Sequence, residues 1–222
     1  MGRPRSAKGR ALLTAERLAE SYPGTAKELC ALDHRNAFEL LAATILSAQC
    51  TDARVNLVTP VLFKRFPDAA ALSHADPEVV EEIVRTTGFF RAKTRSLIGM
   101  ATAIEQRFGG EVPTALEDLV TVPGVGRKTG NVVRSVAFGL PGLPVDTHVL
   151  RLSKRLALTE SLSASAQNDA VKVELVLNSQ IPGPERGAFS LRLILHGRAI
   201  CVARKPKCAQ CVLQDFCPSA GI

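Results

Sequence analysis

The sequence predicts an all-α protein, and three observations lead to this prediction. Apolar residues recur with the period of an α-helix through almost the whole chain. Residues that favour helix N-termini, such as Asn or Asp before an acidic first turn, precede several of these periodic segments. No stretch of the chain shows a sustained alternation of apolar and polar side chains, which is the pattern of a half-buried strand.

Five helices are predicted in the first half of the chain. Asn36 with Glu39 resembles a capping box, in which both side chains bond the first turn. The run Asp76–Glu78 supplies an N-cap, a proline at the first helical position and an acid in the first turn. The predicted helices run from about Leu12 to Tyr22, Asn36 to Leu46, Thr51 to Phe66, Asp76 to Gly88 and Arg91 to Phe108.

The second half is punctuated by glycine and proline. A short helix at about 115–120 and a longer one at about 125–138 flank a glycine-containing turn, and Gly139–Pro144 then breaks the chain. Asp146 begins a helix that continues to Leu156. Two further helices are predicted at 165–177 and 185–198.

The composition indicates a folded protein with clustered basic charge. The 222 residues are 46% hydrophobic, enough for one large domain or two small ones. The net charge is +7, with an excess of bases in residues 1–10, 121–155 and 185–222. Such clusters are typical of a protein that binds nucleic acid, although a solvated basic surface explains the charge equally well.

The sequence carries no membrane or secretion pattern. No uninterrupted apolar run approaches the length that crosses a bilayer. The basic N-terminus leads into an amphipathic helix pattern and not into an apolar signal segment. We therefore expect a soluble cytoplasmic protein with no membrane partner.

The turn Val122–Gly126 is followed by the bases Arg127 and Lys128. Glycine permits a positive φ and the close approach of another backbone, and amides at a helix N-terminus favour an anion. These features fit a helix–hairpin–helix that binds DNA phosphates without reading their sequence. An ordinary interhelical turn fits the same residues.

Lys128 and Asp146 have structural as well as catalytic interpretations. Lys128 either contacts a phosphate or acts as a nucleophile, and the second role requires a neutral amine. Burial, the positive end of the helix and the neighbouring Arg127 would together favour the neutral form. Asp146, in an Asp-Thr-His run after a Pro-rich break, fits a simple N-cap. The residues alone do not single out this pair as catalytic.

Four of the six cysteines lie near the C-terminus in the pattern Cys-x6-Cys-x2-Cys-x5-Cys. Four thiolates in so short a loop can surround one metal centre, and zinc and a 4Fe–4S cluster both fit this spacing. Disulfides are less favoured in a chain without a secretion signal. The predicted metal ligands are Cys201, Cys208, Cys211 and Cys217.

Several segments together resemble the endonuclease III family of helix–hairpin–helix DNA glycosylases. They are LLAATILSAQCTDARVN (40–56), LVTVPGVGRKTGNVV (119–133), VDTHVLRLSKR (145–155) and the cysteine pattern at the end of the chain. The resemblance is collinear over nearly the whole chain. Each segment alone is unspecific, whereas the combination is highly specific.

The resemblance implies a two-lobed all-α fold with a C-terminal 4Fe–4S cluster loop. Residues 30–140 would form a six-helix lobe that carries the hairpin, and residues 1–29 with 141–222 would form the lobe that carries the cluster. A damaged pyrimidine would be flipped out of the DNA into a pocket between the lobes. The implied partner is double-stranded DNA that contains oxidised pyrimidines or abasic sites, bound by a nucleoid-associated monomer.

The resemblance also implies roles for individual residues. Lys128 would attack C1′ of the flipped nucleotide, form a Schiff base and permit β-elimination, and Asp146 would assist base loss and proton transfer. Gln49 would fill the gap that the flipped base leaves. The expected DNA contacts are Gln49, Phe89, Phe90, Gly124, Val125, Gly126, Arg127, Thr129, His148, Arg204, Lys205 and Lys207.

The chain departs from the family pattern at several positions. Gly88–Arg91 replaces a common Gly-Leu-Tyr wedge with two phenylalanines, and Val120 stands where an acid is expected. Gly130 replaces an alanine, which would loosen the mount of the lysine by roughly 1 kcal/mol, and Cys50 replaces a small residue. These departures affect the expected activity level and substrate range but leave the reaction type unchanged.

Two other functions compete with this interpretation. An adenine-mismatch glycosylase would share the fold and the cluster, but it usually lacks the lysine at position 128 and carries a further C-terminal domain. A DNA-binding module with a structural metal and degenerate chemistry would also fit the pattern. A covalent borohydride-trapped complex with DNA distinguishes the lyase from the binding module.

Overall fold

A computed structural model describes residues 4–221, and the described residues form helices and connecting turns without a strand. The prediction of an all-α fold is therefore confirmed. The α-helices are α1 (Ala7–Ser21), α2 (Ala26–Leu29), α3 (Ala37–Leu46), α4 (Asp52–Arg65), α5 (Ala69–Ser73), α6 (Pro77–Val84), α7 (Phe90–Phe108), α8 (Leu116–Leu119), α9 (Arg127–Val136), α10 (Thr147–Arg155), α11 (Ala170–Gln180) and α12 (Arg186–Ala199).

Side-chain caps fix the starts of the predicted helices. The side chain of Asn36 accepts from the amide of Glu39 at 2.9 Å and begins α3, and that of Asp76 accepts from Glu78 at 2.9 Å and begins α6. The capping box differs from the expected one in a single contact. The carboxylate of Glu39 accepts from the amide of Arg35 at 2.7 Å, one residue before the N-cap.

The structure corrects several predicted boundaries. The short helices α2 and α5 did not emerge from the pattern, because four or five residues are too few to show a period. The helix predicted at 165–177 is divided into a 3-10 turn (Ala166–Asn168) and α11, because Asp169 caps a new helix there. The helix predicted at 125–138 begins at Arg127, since the preceding residues form the hairpin.

The chain divides into two compact units. One contains the residues up to Leu29 together with those from Gly139 onward, and the other is continuous from Cys30 to Phe138. The discontinuous unit is called the cluster unit below, and the continuous one is called the hairpin unit.

The cluster unit packs α1, α10, α11 and α12 around one apolar core. Its fully buried residues include Leu18, Leu152, Leu177 and Phe189. Arg10 is also buried, and its guanidinium donates from Nε to the carbonyl of Leu156 at 3.0 Å. This bond ties the first helix of the chain to the end of α10.

The hairpin unit packs α3 against α4, α7 and α9, and α5 and α6 against α7. Leu40, Leu41, Leu97, Met100 and Ile104 are fully buried there. Nearly every residue of α3 is buried, so this helix is the centre of the unit. None of the helices within residues 4–221 is both long and apolar enough to cross a membrane.

Candidate nucleic-acid interface and metal centre

The hairpin connects α8 to α9 through the residues Val122–Gly126. The amide of Val125 donates to the carbonyl of Val122 at 3.0 Å and closes the turn. Both valine side chains are almost fully buried, so they anchor the turn in the core of the hairpin unit. The backbone between them is thereby held at the surface, where Gly124 is exposed.

The two glycines of the hairpin differ in backbone conformation and in the space around them. Gly124 has a φ of 79°, and a Cβ built there would lie 2.8 Å from Cβ of Ser96. Gly126 has a φ of −89° and open space around its position. The expectation of a positive φ therefore applies to Gly124 alone, and the open side of Gly126 leaves room for another backbone.

The N-terminus of α9 is exposed to solvent at the end of the hairpin. Gly126 occupies the N-cap position and supplies no side-chain cap, so the first turn keeps its affinity for an anion. Arg127 and Lys128 are exposed and Thr129 is partly buried. Burial of Lys128, which the sequence interpretation invoked to favour the neutral amine, is not found.

Gly130 lies on the buried side of α9, beneath α8. A Cβ at Gly130 would lie 2.7 Å from Cδ1 of Leu116 and 3.5 Å from Cβ of Leu119. The glycine therefore lets α8 pack closely on the helix that carries Lys128. Gly130 lowers the helix propensity of α9, as expected. An alanine at this position would, however, press against Leu116.

Gln49 and Phe89 line one cavity of about 270 Å³ in the hairpin unit, and both have a positive φ. The Phe89 side chain is exposed, with 67% of the residue surface accessible. Phe90 is different, because it begins α7 and its ring lies under the guanidinium of Arg91, 5.3 Å away. Of the two predicted wedge residues, Phe89 is the one whose side chain projects into solvent.

Asp146 is the N-cap of α10 in the cluster unit. Its Oδ1 accepts from the amides of His148 and Val149 at 2.8 and 2.9 Å. No hydrogen bond from residues 4–221 reaches Oδ2, so one carboxylate oxygen is open to a second role. His148 is partly buried, and its Nδ1 lies 3.0 Å from the guanidinium of Arg151.

The four C-terminal cysteines line a single cavity of the cluster unit. All four are free thiols and half-buried. Within residues 4–221, no three His, Cys, Asp or Glu side chains are grouped closely enough to hold one metal ion. Four thiols around one cavity can hold a metal centre, and zinc and a 4Fe–4S cluster both use such ligands.

Burial opposes the ionisation of two of these thiols. It raises the pKa of Cys211 and of Cys217, and the other cysteines of the group raise both further. Without a metal, Cys211 and Cys217 would therefore resist becoming thiolates. A bound metal centre favours the deprotonated ligands.

Arginines that the sequence interpretation overlooked brace the cluster loop. Arg155 donates from Nη1 to the sulfur of Cys201 at 3.2 Å and to the carbonyl of Val202 at 2.8 Å. Arg151 donates to the carbonyls of Cys201 and Gly197 at 3.1 and 2.9 Å. Both lie on one face of α10, and their four-residue spacing is the sequence feature that predicts a shared partner.

A histidine and a basic loop complete the surroundings of the cavity. Burial lowers the pKa of His196 to about 4, and its Nε2 lies 3.3 Å from the sulfur of Cys211. Nothing in the sequence pattern distinguishes this histidine from an ordinary core residue. The predicted phosphate contacts Arg204, Lys205 and Lys207 are exposed on the loop between the first two cysteines.

These features are those of an all-helical protein with a helix–hairpin–helix turn and a cavity lined by four cysteines. A family model for the HhH-GPD superfamily base excision DNA repair protein matches residues 42–175. A model for the iron–sulfur binding domain of endonuclease III matches residues 201–217. The chain therefore belongs to the HhH-GPD superfamily of base excision DNA repair proteins.

Relatives and solved structures extend the similarity over nearly the whole chain. An endonuclease III from Synechocystis sp. is 50% identical over 204 residues, which cover 91% of this chain and 89% of the relative. Structures of a non-covalent endonuclease III–DNA complex and of a trapped covalent endonuclease III–DNA intermediate are each 38% identical. Each has a TM-score of 0.85 and covers 96% of both chains.

The comparisons confirm the predicted family, the all-α fold and the 4Fe–4S cofactor. The cysteine spacing fits both zinc and an iron–sulfur cluster, and the match to an iron–sulfur binding domain decides for the cluster. The assignments of individual catalytic and DNA-contact residues stay predictions at this point.

The packing at Gly130 predicts a non-additive stability effect. An alanine there gains helix propensity, about 1 kcal/mol, but pushes against Leu116. In a Leu116→Ala background, Gly130→Ala should therefore raise the free energy of unfolding by about that amount, and by clearly less in the wild-type background. Urea unfolding of the four proteins measures both differences. An equal gain in both backgrounds would contradict the packing argument.

Because Cys211 lines the cysteine cavity, we predict that the cluster needs its thiol. Cys211→Ser should lose the bound iron, whereas the wild type should hold about four irons per chain. Cys30→Ser is the matched control, because Cys30 is also half-buried but lies in the other unit. Iron and acid-labile sulfide analysis measures the result. Full iron content in Cys211→Ser would show that this residue is not a ligand.

Proposed function

We propose that this protein removes oxidised pyrimidines from double-stranded DNA and cleaves the abasic site, with Lys128 as nucleophile and Asp146 as its acidic partner. The general activity is shown by the family: the protein is a base-excision-repair DNA glycosylase with abasic-site lyase activity. The observation that carries the residue assignment is the place of Lys128. It is an exposed amine in the first turn of α9, directly after the hairpin.

Each bond change in the proposed reaction has an assigned atom. The neutral Nζ of Lys128 attacks C1′, and the base leaves with the electron pair of the glycosidic bond and takes up a proton. Nζ loses a proton, the C1′–O4′ bond of the sugar ring breaks, O4′ takes up a proton, and a protonated C1′=N Schiff base results. Removal of a C2′ proton then breaks the C3′–O bond and releases the 3′ phosphate, and water finally hydrolyses the imine.

Asp146 is proposed to stabilise the cationic intermediate and to accept a proton. Its Oδ1 is fixed by the two amides of α10, which hold the carboxylate in one orientation. The second oxygen carries the proposed chemical role. The N-cap function and the catalytic function therefore use different atoms of one side chain.

The other predicted contacts are proposed to hold DNA. The hairpin residues Gly124, Val125 and Gly126 and the first turn of α9 would bind phosphate through backbone amides. Gln49 and Phe89 would occupy the space around the flipped nucleotide, since both border one cavity. His148 and the exposed bases of the cluster loop would add further contacts.

The 4Fe–4S cluster is proposed to act as a structural cross-link that holds this basic loop. Cys201, Cys208, Cys211 and Cys217 would be its ligands, and the cluster supplies rigidity and local charge when bound. Arg155 and Arg151 position the loop from the protein side through its carbonyl groups. A monomer is sufficient for every contact proposed here.

Replacement of Lys128 tests the nucleophile assignment. Borohydride reduction with DNA that contains an abasic site should give a covalent complex for the wild type and for Lys64→Gln, and none for Lys128→Gln. Lys64 is the matched control, because it is an exposed lysine of the same unit. A full yield of complex with Lys128→Gln would place the nucleophile elsewhere. No complex with the wild type on any substrate would favour a DNA-binding module.

Substrate competition tests the proposed lesion class. Duplexes with thymine glycol, with an adenine mismatch and with uracil should differ in kcat/KM, with thymine glycol highest by at least about tenfold. Single-turnover excision on matched sequences measures these ratios. A preference for the adenine mismatch would contradict the proposal and support the alternative branch of the family.

A further inference from the structure

We propose that Lys93 is a positioning residue for the DNA wedge: its buried side chain fixes the carbonyl of Thr87 and so holds Phe89 with its ring exposed. The inference rests on the proposed function, because only a protein that opens DNA needs a wedge. It adds a residue that carries no role in the reaction described above.

The first observation is the backbone conformation around one cavity. In residues 4–221, the non-glycine residues with a positive φ are Gln49, Phe89, Ala157 and Lys205. Gln49 at 52° and Phe89 at 48° line the same cavity, together with Lys93. A non-glycine residue in the left-handed region costs free energy, so the surrounding structure must hold it there.

The second observation concerns the contacts that hold the backbone of Phe89 in its left-handed conformation. Its ring is largely exposed, so side-chain packing contributes little to its conformation. The constraint comes from the residues on either side. Gly88, at a φ of 72°, makes the reversal, and the buried Thr87 donates from Oγ1 to the carbonyl of Val84 at 2.7 Å. The amide of Lys93 donates to the carbonyl of Phe89 at 3.0 Å.

The third observation is the lysine itself. Lys93 is only 5% exposed, and its Nζ donates to the carbonyl of Thr87 at 2.7 Å. Lysine is rarely buried, because an ammonium loses hydration that one carbonyl does not replace. Desolvation lowers the pKa of Lys93, and the neighbouring Cys50 acts in the opposite direction.

An apolar side chain of similar length would fill the same space without this desolvation. A core that needed only volume at this place would not require an amine. The amine adds the bond to the Thr87 carbonyl, which is the last group before the Gly88–Phe89 reversal. Lys93 thus contacts this reversal through its side chain at Thr87 and through its backbone at Phe89.

A measurement without DNA tests the positioning directly. Fluorine NMR of the protein with para-fluorophenylalanine at position 89 reports the environment of the ring. Lys93→Met should shift or broaden this resonance, and Lys93→Arg, which can still donate to the carbonyl, should restore it. Gly88→Ala should change the resonance in the same way, since a Cβ there meets no atom within 4 Å and strains the backbone alone. An unchanged resonance in Lys93→Met, or a changed one that Lys93→Arg does not restore, overturns the inference.

A double-mutant cycle tests the consequence for repair. Lys93→Met and Phe89→Ala should each lower kcat/KM on lesion DNA about tenfold, and the double variant should be no worse than Phe89→Ala alone. Effects that multiply to about a hundredfold would show that Lys93 acts independently of the wedge.

Borohydride trapping and the NMR comparison test the proposed function and this inference separately. Borohydride trapping by the wild type and by Lys128→Gln decides whether the protein is a lyase that uses Lys128. The NMR comparison decides the role of Lys93 whatever the trapping shows. A trapped wild type with an unaltered Phe89 resonance in Lys93→Met refutes the inference alone.

Discussion

The backbone reversal at Gly124 is the constraint on which the proposed site depends. With a φ of 79° and a Cβ position only 2.8 Å from Ser96, this residue cannot carry a side chain without moving α7 or the turn. The buried valines on either side hold the reversal, and α9 begins at Arg127, three residues after Gly124. The exposed helix N-terminus and the amine of Lys128 therefore have their positions set by the core of the hairpin unit.

The cluster unit also holds an exposed backbone segment in place, but it does so through side chains and not through a glycine reversal. Its basic loop has no regular structure beyond one 3-10 turn, so its shape depends on the cysteines and on side chains from α10. Arg155 and Arg151 satisfy the loop carbonyls, and the buried Leu213 and Phe216 anchor it to the core. Core packing and the arginine bonds thus hold the loop that carries the exposed bases, and ligation of the proposed cluster would act in the same direction.

Much of this could be predicted from sequence because the helix caps and the cysteine spacing are local patterns. Asn36, Asp76 and Asp146 cap the helices that their positions indicated, and the collinear motifs gave the family. The exposure of Lys128, the contact between Gly130 and Leu116, and the bonds from Arg155 and Lys93 depend on residues brought together by tertiary packing. The periodic pattern of apolar residues does not reveal distances between residues that are far apart in the sequence. Short helices such as α2 and α5 have too few residues to show such a pattern.

The position of the covalent adduct shows whether Lys128 is the nucleophile. The trapped complex with abasic DNA can be digested with protease and nuclease and the modified peptide sequenced by mass spectrometry. We expect a single reduced adduct on Nζ of Lys128, in the peptide that follows the hairpin. An adduct on another lysine or on the N-terminal amine would contradict it, because the hairpin would then present phosphate-binding amides but not the nucleophile.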